Sequence, residues 1–256
     1  MTHMTAPPDN SGFPTIPDID TAALFFDIDG TLLDIADDPA AVEVSSALLE
    51  DLAALSRKTD GALALVTGRD LDFISQAFTD FRRAAAALHG AVLEIDGAVR
   101  TTAVADEHLA AARAFLSQAV EKADGLLLED KGSALALHYR ARPDLAPAAE
   151  ATMERALRLA GAGWRVQPGK MVFELCSAAA NKGAALRAIM EEDAFAGKTP
   201  IAFGDDLTDI PMLQAAIALG GVGVAVGDAI AGHGFERLEN PARLRLWLHA
   251  LNEEGN

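Results

Sequence analysis

Leu24-Phe25-Phe26-Asp27-Ile28-Asp29-Gly30-Thr31-Leu32-Leu33 is an apolar run that delivers two carboxylates to its end before a glycine turns the chain. A continuous apolar run of this length reads as a strand buried on both faces, and open parallel sheets bind ligands beyond the carboxyl ends of their strands. Two carboxylates about 4 Å apart, at an effective dielectric of about 20, repel by about 4 kcal/mol. Such a pair is tolerable if one acid is protonated, if the side chains diverge, or if a cation lies between them.

Outward from this stretch, strand and helix alternate. Val42 to Leu55 carries apolar residues at helical spacing and is followed by Arg57, Lys58 and Gly61, an ordinary helix ending. Ala62 to Val66 reads as a second buried strand ending at Thr67-Gly68-Arg69, Asp70 to Phe78 as a helix, and Ala84 to Leu88 as a third apolar segment ending at His89-Gly90. This rhythm predicts a mostly parallel sheet covered on both faces.

The rhythm then changes. Val104 to Ala123 reads as a helix, followed by strands at Leu126 to Glu129 and Ala134 to Tyr139. Leu145 to Ala160 is a second helix, followed by strands at Trp164 to Gln167 and Met171 to Leu175 around a Pro168-Gly169 turn. This repeated helix–hairpin order predicts an α+β unit (αββαββ) inserted into the α/β one. Afterwards come a helix at Lys182 to Met190 behind the N-cap type Asn181, a strand at Pro200 to Phe203, and a helix at Ile210 to Ala218. A glycine-bounded strand at Gly221 to Gly227 and a closing helix from Pro241 to Leu251 complete the chain. The expected division is a loose lead-in at 1–21, a Rossmann-like α/β core at 22–97 and 177–256, and the insert at 98–176.

Composition bounds the function. With 256 residues, half of them apolar, the chain has enough material for a large core. The single cysteine, Cys176, excludes an internal disulfide framework. A net charge of −17 argues against nucleic acid or an anionic membrane as partner, although a few lysines or a metal can still admit a small anion. No apolar stretch reaches the roughly 18–20 residues that span a bilayer, and the N-terminus lacks a signal-peptide pattern. A cytoplasmic monomer is the expectation.

Four strand or helix ends carry chemistry: Asp27-Ile28-Asp29-Gly30-Thr31, Thr67-Gly68-Arg69, Lys182, and Gly204-Asp205-Asp206-Leu207-Thr208-Asp209. Each has a bland reading alone, as a turn hydroxyl, a surface lysine or a solvated helix start. A calcium loop fits poorly, since that motif needs Gly sixth and Glu twelfth, whereas Gly30 is fourth and Asp38 twelfth.

Together and in this order, the four resemble the motifs of the haloacid dehalogenase superfamily of phosphatases. The insert falls where that superfamily's sugar phosphatases carry an α/β cap. Leu88-His89-Gly90-Ala91, Glu129 to Ala136, Gly169 to Leu175 and Asn181-Lys182-Gly183 are similar to the trehalose-6-phosphate phosphatase family, and the likeness runs from about Ala22 to Leu251. Cys176-Ser177 replaces the frequent Arg-Pro, and Ile210 a frequent Glu.

The resemblance implies a phosphatase acting on trehalose 6-phosphate, with Asp27 as nucleophile and Asp29 as acid and base. It implies Mg²⁺ on the Asp27 carboxylate, the Asp29 carbonyl and Asp205, with Asp206 and Asp209 ligating or orienting waters. Thr67, Gly68 and Lys182 would hold the phosphoryl group. Glu129, Lys131, Lys170, Glu174 and His89 would contact the sugar. Two alternatives stay open: another sugar-phosphate phosphatase (of sucrose- or mannosylglycerate-phosphate type), and a phospho-accepting signalling module.

Overall fold

The computed structural model describes residues 13–14, 17–35, 42–78, 84–101, 107–169 and 171–253. Most of the expected lead-in at 1–21 therefore lies outside the described residues. So do Lys170 and the first residues of the helix expected from Val104.

The larger of two sheets is built on β1 (Ala22–Phe26), whose five residues are all buried. Successive side chains of a strand point to opposite faces, and here the two faces differ in bulk. Leu24 and Phe26, with Leu63 and Leu65 of β2 (Leu63–Val66) and Ile201 and Phe203 of β10 (Thr199–Gly204), point into one core. That core is closed by α1 (Ser46–Lys58), α2 (Leu71–Ala77) and α7 (Pro241–Glu253). Ala23, Ala64 and Ala202 lie on the opposite face, together with Phe25 and Val66. The small side chains there let α5 (Lys182–Met190) and α6 (Ile210–Ala218) approach closely.

Strand order in this sheet is β12 (Glu236–Leu238), β11 (Val222–Val226), β10, β1, β2, β3 (Ala84–Ala87), β4 (Val92–Ile95) and β5 (Ala98–Thr101). From β1 the chain moves outward through β2 and β3 (Ala84–Ala87), then returns to the other side of β1 as β10 and β11 (Val222–Val226). The switch point therefore lies between the carboxyl ends of β1 and β10, where such sheets leave a ligand crevice. All these pairings are parallel, as expected.

Two edge elements differ from the sequence reading. β4 (Val92–Ile95) and β5 (Ala98–Thr101) form an antiparallel hairpin that extends the large sheet. Asp96 (φ 47°) and Gly97 (φ 79°) make its two-residue turn, the positive-φ pair that suits a hairpin's twist. The boundary expected at Gly97 thus falls inside a hairpin, and residues 98–101 belong to the core sheet. At the opposite edge, the three-residue strand β12 (Glu236–Leu238) pairs parallel with β11. The first helix also starts later than its apolar spacing suggests, because the Ser45 hydroxyl accepts from the Leu48 amide and caps it there.

The insert has the expected αββαββ order: α3 (Glu107–Lys122), β6 (Leu127–Asp130), β7 (Leu135–His138), α4 (Ala146–Ala160), β8 (Trp164–Gly169) and β9 (Val172–Ser177). Its strands form a separate antiparallel sheet in the order β6-β7-β9-β8. A third core, including Leu116, Met153, Leu135, Leu137, Phe173 and Leu175, joins that sheet to its two helices. The turn expected at Pro168-Gly169 sits further on, since Gly169 still pairs with Val172 and Met171 takes φ 62°. Pro168 is tolerated because β8 is an edge strand, where a missing N–H breaks no ladder. Among the described residues no helix is long and apolar enough to cross a membrane.

Phe203 and Phe26 stack across β10 and β1 with ring centroids 4.9 Å apart, both fully buried. Phe203→Ala should cost about 3–5 kcal/mol, read as a lower urea midpoint with an unchanged slope. A loss under about 1 kcal/mol would show that this stack does not anchor the sheet.

Candidate active site

β1 delivers Asp27, and the chain then turns within seven residues: Gly30 N–H donates to Leu33 O (2.7 Å) and Leu33 N–H to Ile28 O (2.9 Å). Gly30 has φ +86°, and any Cβ there would overlap the Asp205 carboxylate. Glycine is therefore required twice over, for backbone sign and for close approach. The loop after β10 comes equally near, with the Thr31 hydroxyl donating to Asp205 at 3.2 Å.

Lys182, the first residue of α5, extends its buried ammonium between Asp27 and Asp209, 2.6 Å from each. The other Asp209 oxygen accepts from the backbone amides of Asp205 (3.0 Å) and Asp206 (3.1 Å) and fixes the shape of their loop. Asp27, Asp205 and Asp209 each place a carboxylate oxygen within 4.8 Å of the others.

Three carboxylates beside one ammonium leave excess negative charge, and the proton affinities reflect it. Burial, then Asp209, push Asp27 well above the usual carboxylate range, although Lys182 pulls the other way. Burial, Asp209 and Asp206 push Asp205 up to about 7. Burial alone would lower Lys182, but Asp209 and Asp27 overcome it and raise its pKa. An all-oxygen cluster with this charge deficit suits a hard divalent cation.

Asp29 points elsewhere. Arg69 holds it with a two-pronged contact, Nε at 2.8 Å and Nη2 at 2.6 Å, while the guanidinium lies 4.1 Å over the Phe73 ring. Thr67 is buried, and its hydroxyl accepts from the Arg69 amide at 3.2 Å.

These groups open onto a cleft of about 540 Å³ whose lining includes Asp27, Asp29, Thr67, Gly68, Arg69 and Lys182. The insert contributes Glu129, Lys131, His138 and Arg140 to its walls. Glu129 pairs with His138 at 2.8 Å, and that hydrogen bond draws its carboxyl below the ordinary value. Glu174 stands behind this wall, with Lys131 Nζ 3.0 Å from one oxygen and His89 Nε2 3.4 Å from the other. Burial would raise Glu174, but the His89 hydrogen bond and the Lys131 charge hold it down at about 2.

Residues 25–223 match the family model described as trehalose-phosphatase. The chain belongs to the trehalose-phosphatase family. A probable trehalose-phosphate phosphatase of Sinorhizobium fredii is 47% identical over 216 residues, 83% of this chain and 80% of that protein. The trehalose-6-phosphate phosphatase of Escherichia coli is 35% identical over 209 residues, 80% of this chain and 77% of that protein. A solved trehalose-6-phosphate phosphatase related protein aligns with TM-score 0.75 at 26% identity, covering 91% of this chain and 97% of that one. The fold is that of the haloacid dehalogenase superfamily, and the chain is a phosphoric monoester hydrolase, which sets aside the signalling-module alternative.

Within this trehalose-phosphatase family member, Asp27, Asp29, Thr67, Gly68 and Lys182 converge on one cleft with Glu129, Lys131 and His89. Asp205 lies beside Asp27, and Asp209 is more central than expected because it shares Lys182. Asp206 is exposed and lines the cleft, its side chain accepting from the Thr208 amide and hydroxyl. Glu174 does not line the cleft and touches its wall through Lys131 and His89. Arg69, His138, Arg140 and Gln167 were not singled out from sequence. Arg69 had a local signal, its place at the end of the strand-end motif; His138 and Arg140 reach the cleft from the insert, and Gln167 meets His89 at 3.1 Å.

The low pKa of Glu174 has a thermodynamic consequence. A carboxylate lowered from 4.5 to about 2 stabilises the fold fully above pH 4.5 and progressively less as pH falls towards 2. Glu174→Gln should remove about 2 kcal/mol of the stability difference between pH 6 and pH 3, measured as urea midpoints at the two pH values. Parallel wild-type and variant profiles would mean that the carboxylate is not held this way.

Proposed function

We propose that this phosphatase hydrolyses trehalose 6-phosphate to trehalose and phosphate through a covalent phosphate on Asp27, with Mg²⁺ at the carboxylate cluster. The observation that carries the reading is the Lys182–Asp27 contact of 2.6 Å at the sheet's switch point, facing a polar wall from the insert. The names of the S. fredii and E. coli relatives support the choice of sugar.

In this reading Asp27 attacks phosphorus while Lys182, Thr67 and the Gly68 N–H hold the phosphoryl oxygens. Splitting the displacement into two steps makes each easier. Asp27, Asp205 and the Asp29 carbonyl would hold the metal, which neutralises charge on the phosphoryl oxygens when bound. Asp209 positions Lys182 and the Asp205 loop. Once released from the Arg69 fork, the Asp29 carboxylate takes up a proton from solvent and gives it to the departing sugar oxygen, then takes a proton from the water that attacks the Asp27 phosphate. Arg69 thus holds the carboxylate form of Asp29 within reach of the cleft.

The insert serves as a cap. A disaccharide presents many hydroxyls, and polar partners left unpaired by a wrong sugar give discrimination. Glu129 and Lys131 stand at that wall, with Glu174 behind them, and closure over substrate would exclude water.

A phosphate-release assay across sugar phosphates, with and without Mg²⁺, tests this reading. Trehalose 6-phosphate should be preferred, chelation should abolish turnover, and added Mg²⁺ should restore it. Equal rates on simple hexose phosphates would overturn the substrate, and full activity in chelator would overturn the metal. Asp27→Asn should lower kcat by at least about 10³-fold with an unchanged fold, and normal turnover in that variant would remove Asp27 as nucleophile.

A further inference from the structure

His89 stands between the Gly68 loop and the insert. It follows β3 in a stretch where Leu88 (φ 50°), His89 (φ 56°) and Gly90 (φ 95°) are successively left-handed. Left-handed backbone is disfavoured for the two non-glycine residues there. The turn is held by two backbone bonds, Leu88 N–H to Arg69 O (3.0 Å) and His89 N–H to Thr67 O (2.9 Å). Both acceptors flank Gly68 in the loop facing the phosphoryl site.

The side chain is fixed from below as well. A Cβ on Gly68 would lie 2.7 Å from the imidazole Cε1 and Nε2, so the ring rests directly on that glycine. Its Nδ1 is buried with no hydrogen-bond partner among the described residues. Nε2 is therefore the engaged nitrogen, and it faces the insert, 3.1 Å from the Gln167 amide and 3.4 Å from Glu174.

Glu174 is 8% exposed and does not line the cleft. A buried carboxylate needs partners, and among the described residues these are His89 from the core and Lys131 from the insert. The contacts then run Gly68, His89, Glu174 and Lys131, with Gly68, His89 and Lys131 on the cleft lining and Glu174 behind it. Strain at Leu88 and His89 is maintained because the loop and the insert together determine the ring's place.

We propose that His89 is a positioning residue: seated on the phosphate loop, it orients the Glu174 carboxylate, and thereby aims the Lys131 ammonium at the sugar half of the substrate. This rests on the sugar-phosphatase reading above. The geometry joins the loop that holds the phosphoryl group to the side chain that holds the sugar, so the two subsites keep a fixed relation when the insert is seated.

His89→Asn keeps a residue type that tolerates the left-handed backbone but is too short to reach Glu174. His89→Gln restores an amide near the position of Nε2. With these variants, Glu174→Gln and the His89→Asn/Glu174→Gln pair, kcat and KM are measured on trehalose 6-phosphate and on p-nitrophenyl phosphate. His89→Asn should raise KM for the disaccharide ester about 10-fold, with a change at least about fivefold smaller on the aryl ester. His89→Gln should recover most of the loss. The double variant should be no worse than the poorer single variant, because both act on one Lys131 orientation.

Losses that multiply in the double variant would overturn the proposal. So would an equal fall in kcat on both esters, which would place His89 in the phosphate chemistry, or an equally poor His89→Gln. A wild-type enzyme with no preference for the disaccharide would bring down the functional reading itself. Preference retained with multiplying losses would remove only the role of His89. Urea midpoints of the variants keep loss of fold apart from loss of aim.

Discussion

A buried ammonium held 2.6 Å from two carboxylates, Lys182 between Asp27 and Asp209, sets the geometry of the strand ends and the loops that leave them. The two carboxylates make the ion tolerable in the interior, and losing the ammonium would leave both of them buried without a counter-charge, at a cost of about 3–5 kcal/mol. Lys182 begins α5, so the same contact fixes the helix start against the sheet. Asp209 passes the constraint on through its second oxygen, which organises the Asp205-Asp206 backbone. Glycines at 30 and 204 then give the room that the crowding needs.

What this arrangement leaves unbalanced is also informative. One ammonium serves Asp27 and Asp209 but not Asp205, whose proton affinity rises to about 7. The two acids of the opening strand resolve their conflict by separate routes: Asp27 turns to Lys182, and Asp29 diverges to Arg69. Asp29, held as a carboxylate by Arg69, and Asp205, left undercompensated, are the groups that the proposed reaction would use to move a proton and to hold a cation. The insert adds the opposite wall, where Glu129, Lys131 and His138 are paired among themselves and with Glu174.

Most of the architecture was legible because the signals were local. β1 reads as buried from its own residues, α5 and α6 begin and end where apolar spacing and Asn181 place them, and the insert announces itself by a change of rhythm. The β4–β5 hairpin was missed although Asp96-Gly97 is a strong turn pair, because β5 is exposed throughout and shows no apolar alternation. β12 is too short to carry a pattern. Site residues on strand ends were legible from type and order. The Arg69–Asp29 fork, the shared Lys182 and the His89–Glu174 contact were not, since each joins elements far apart in the chain and depends on which way a side chain turns.

The central claim is that Asp27, aligned by Lys182, takes the phosphoryl group itself. Its most direct test is rapid acid quench of the enzyme during its first turnovers of trehalose 6-phosphate, followed by mass spectrometry of the peptide containing Asp27. Phosphate should be found on Asp27, rising before free phosphate and decaying as it is released. Phosphate on any other residue, or release in the first turnover with that peptide unmodified at every quench time, would contradict it.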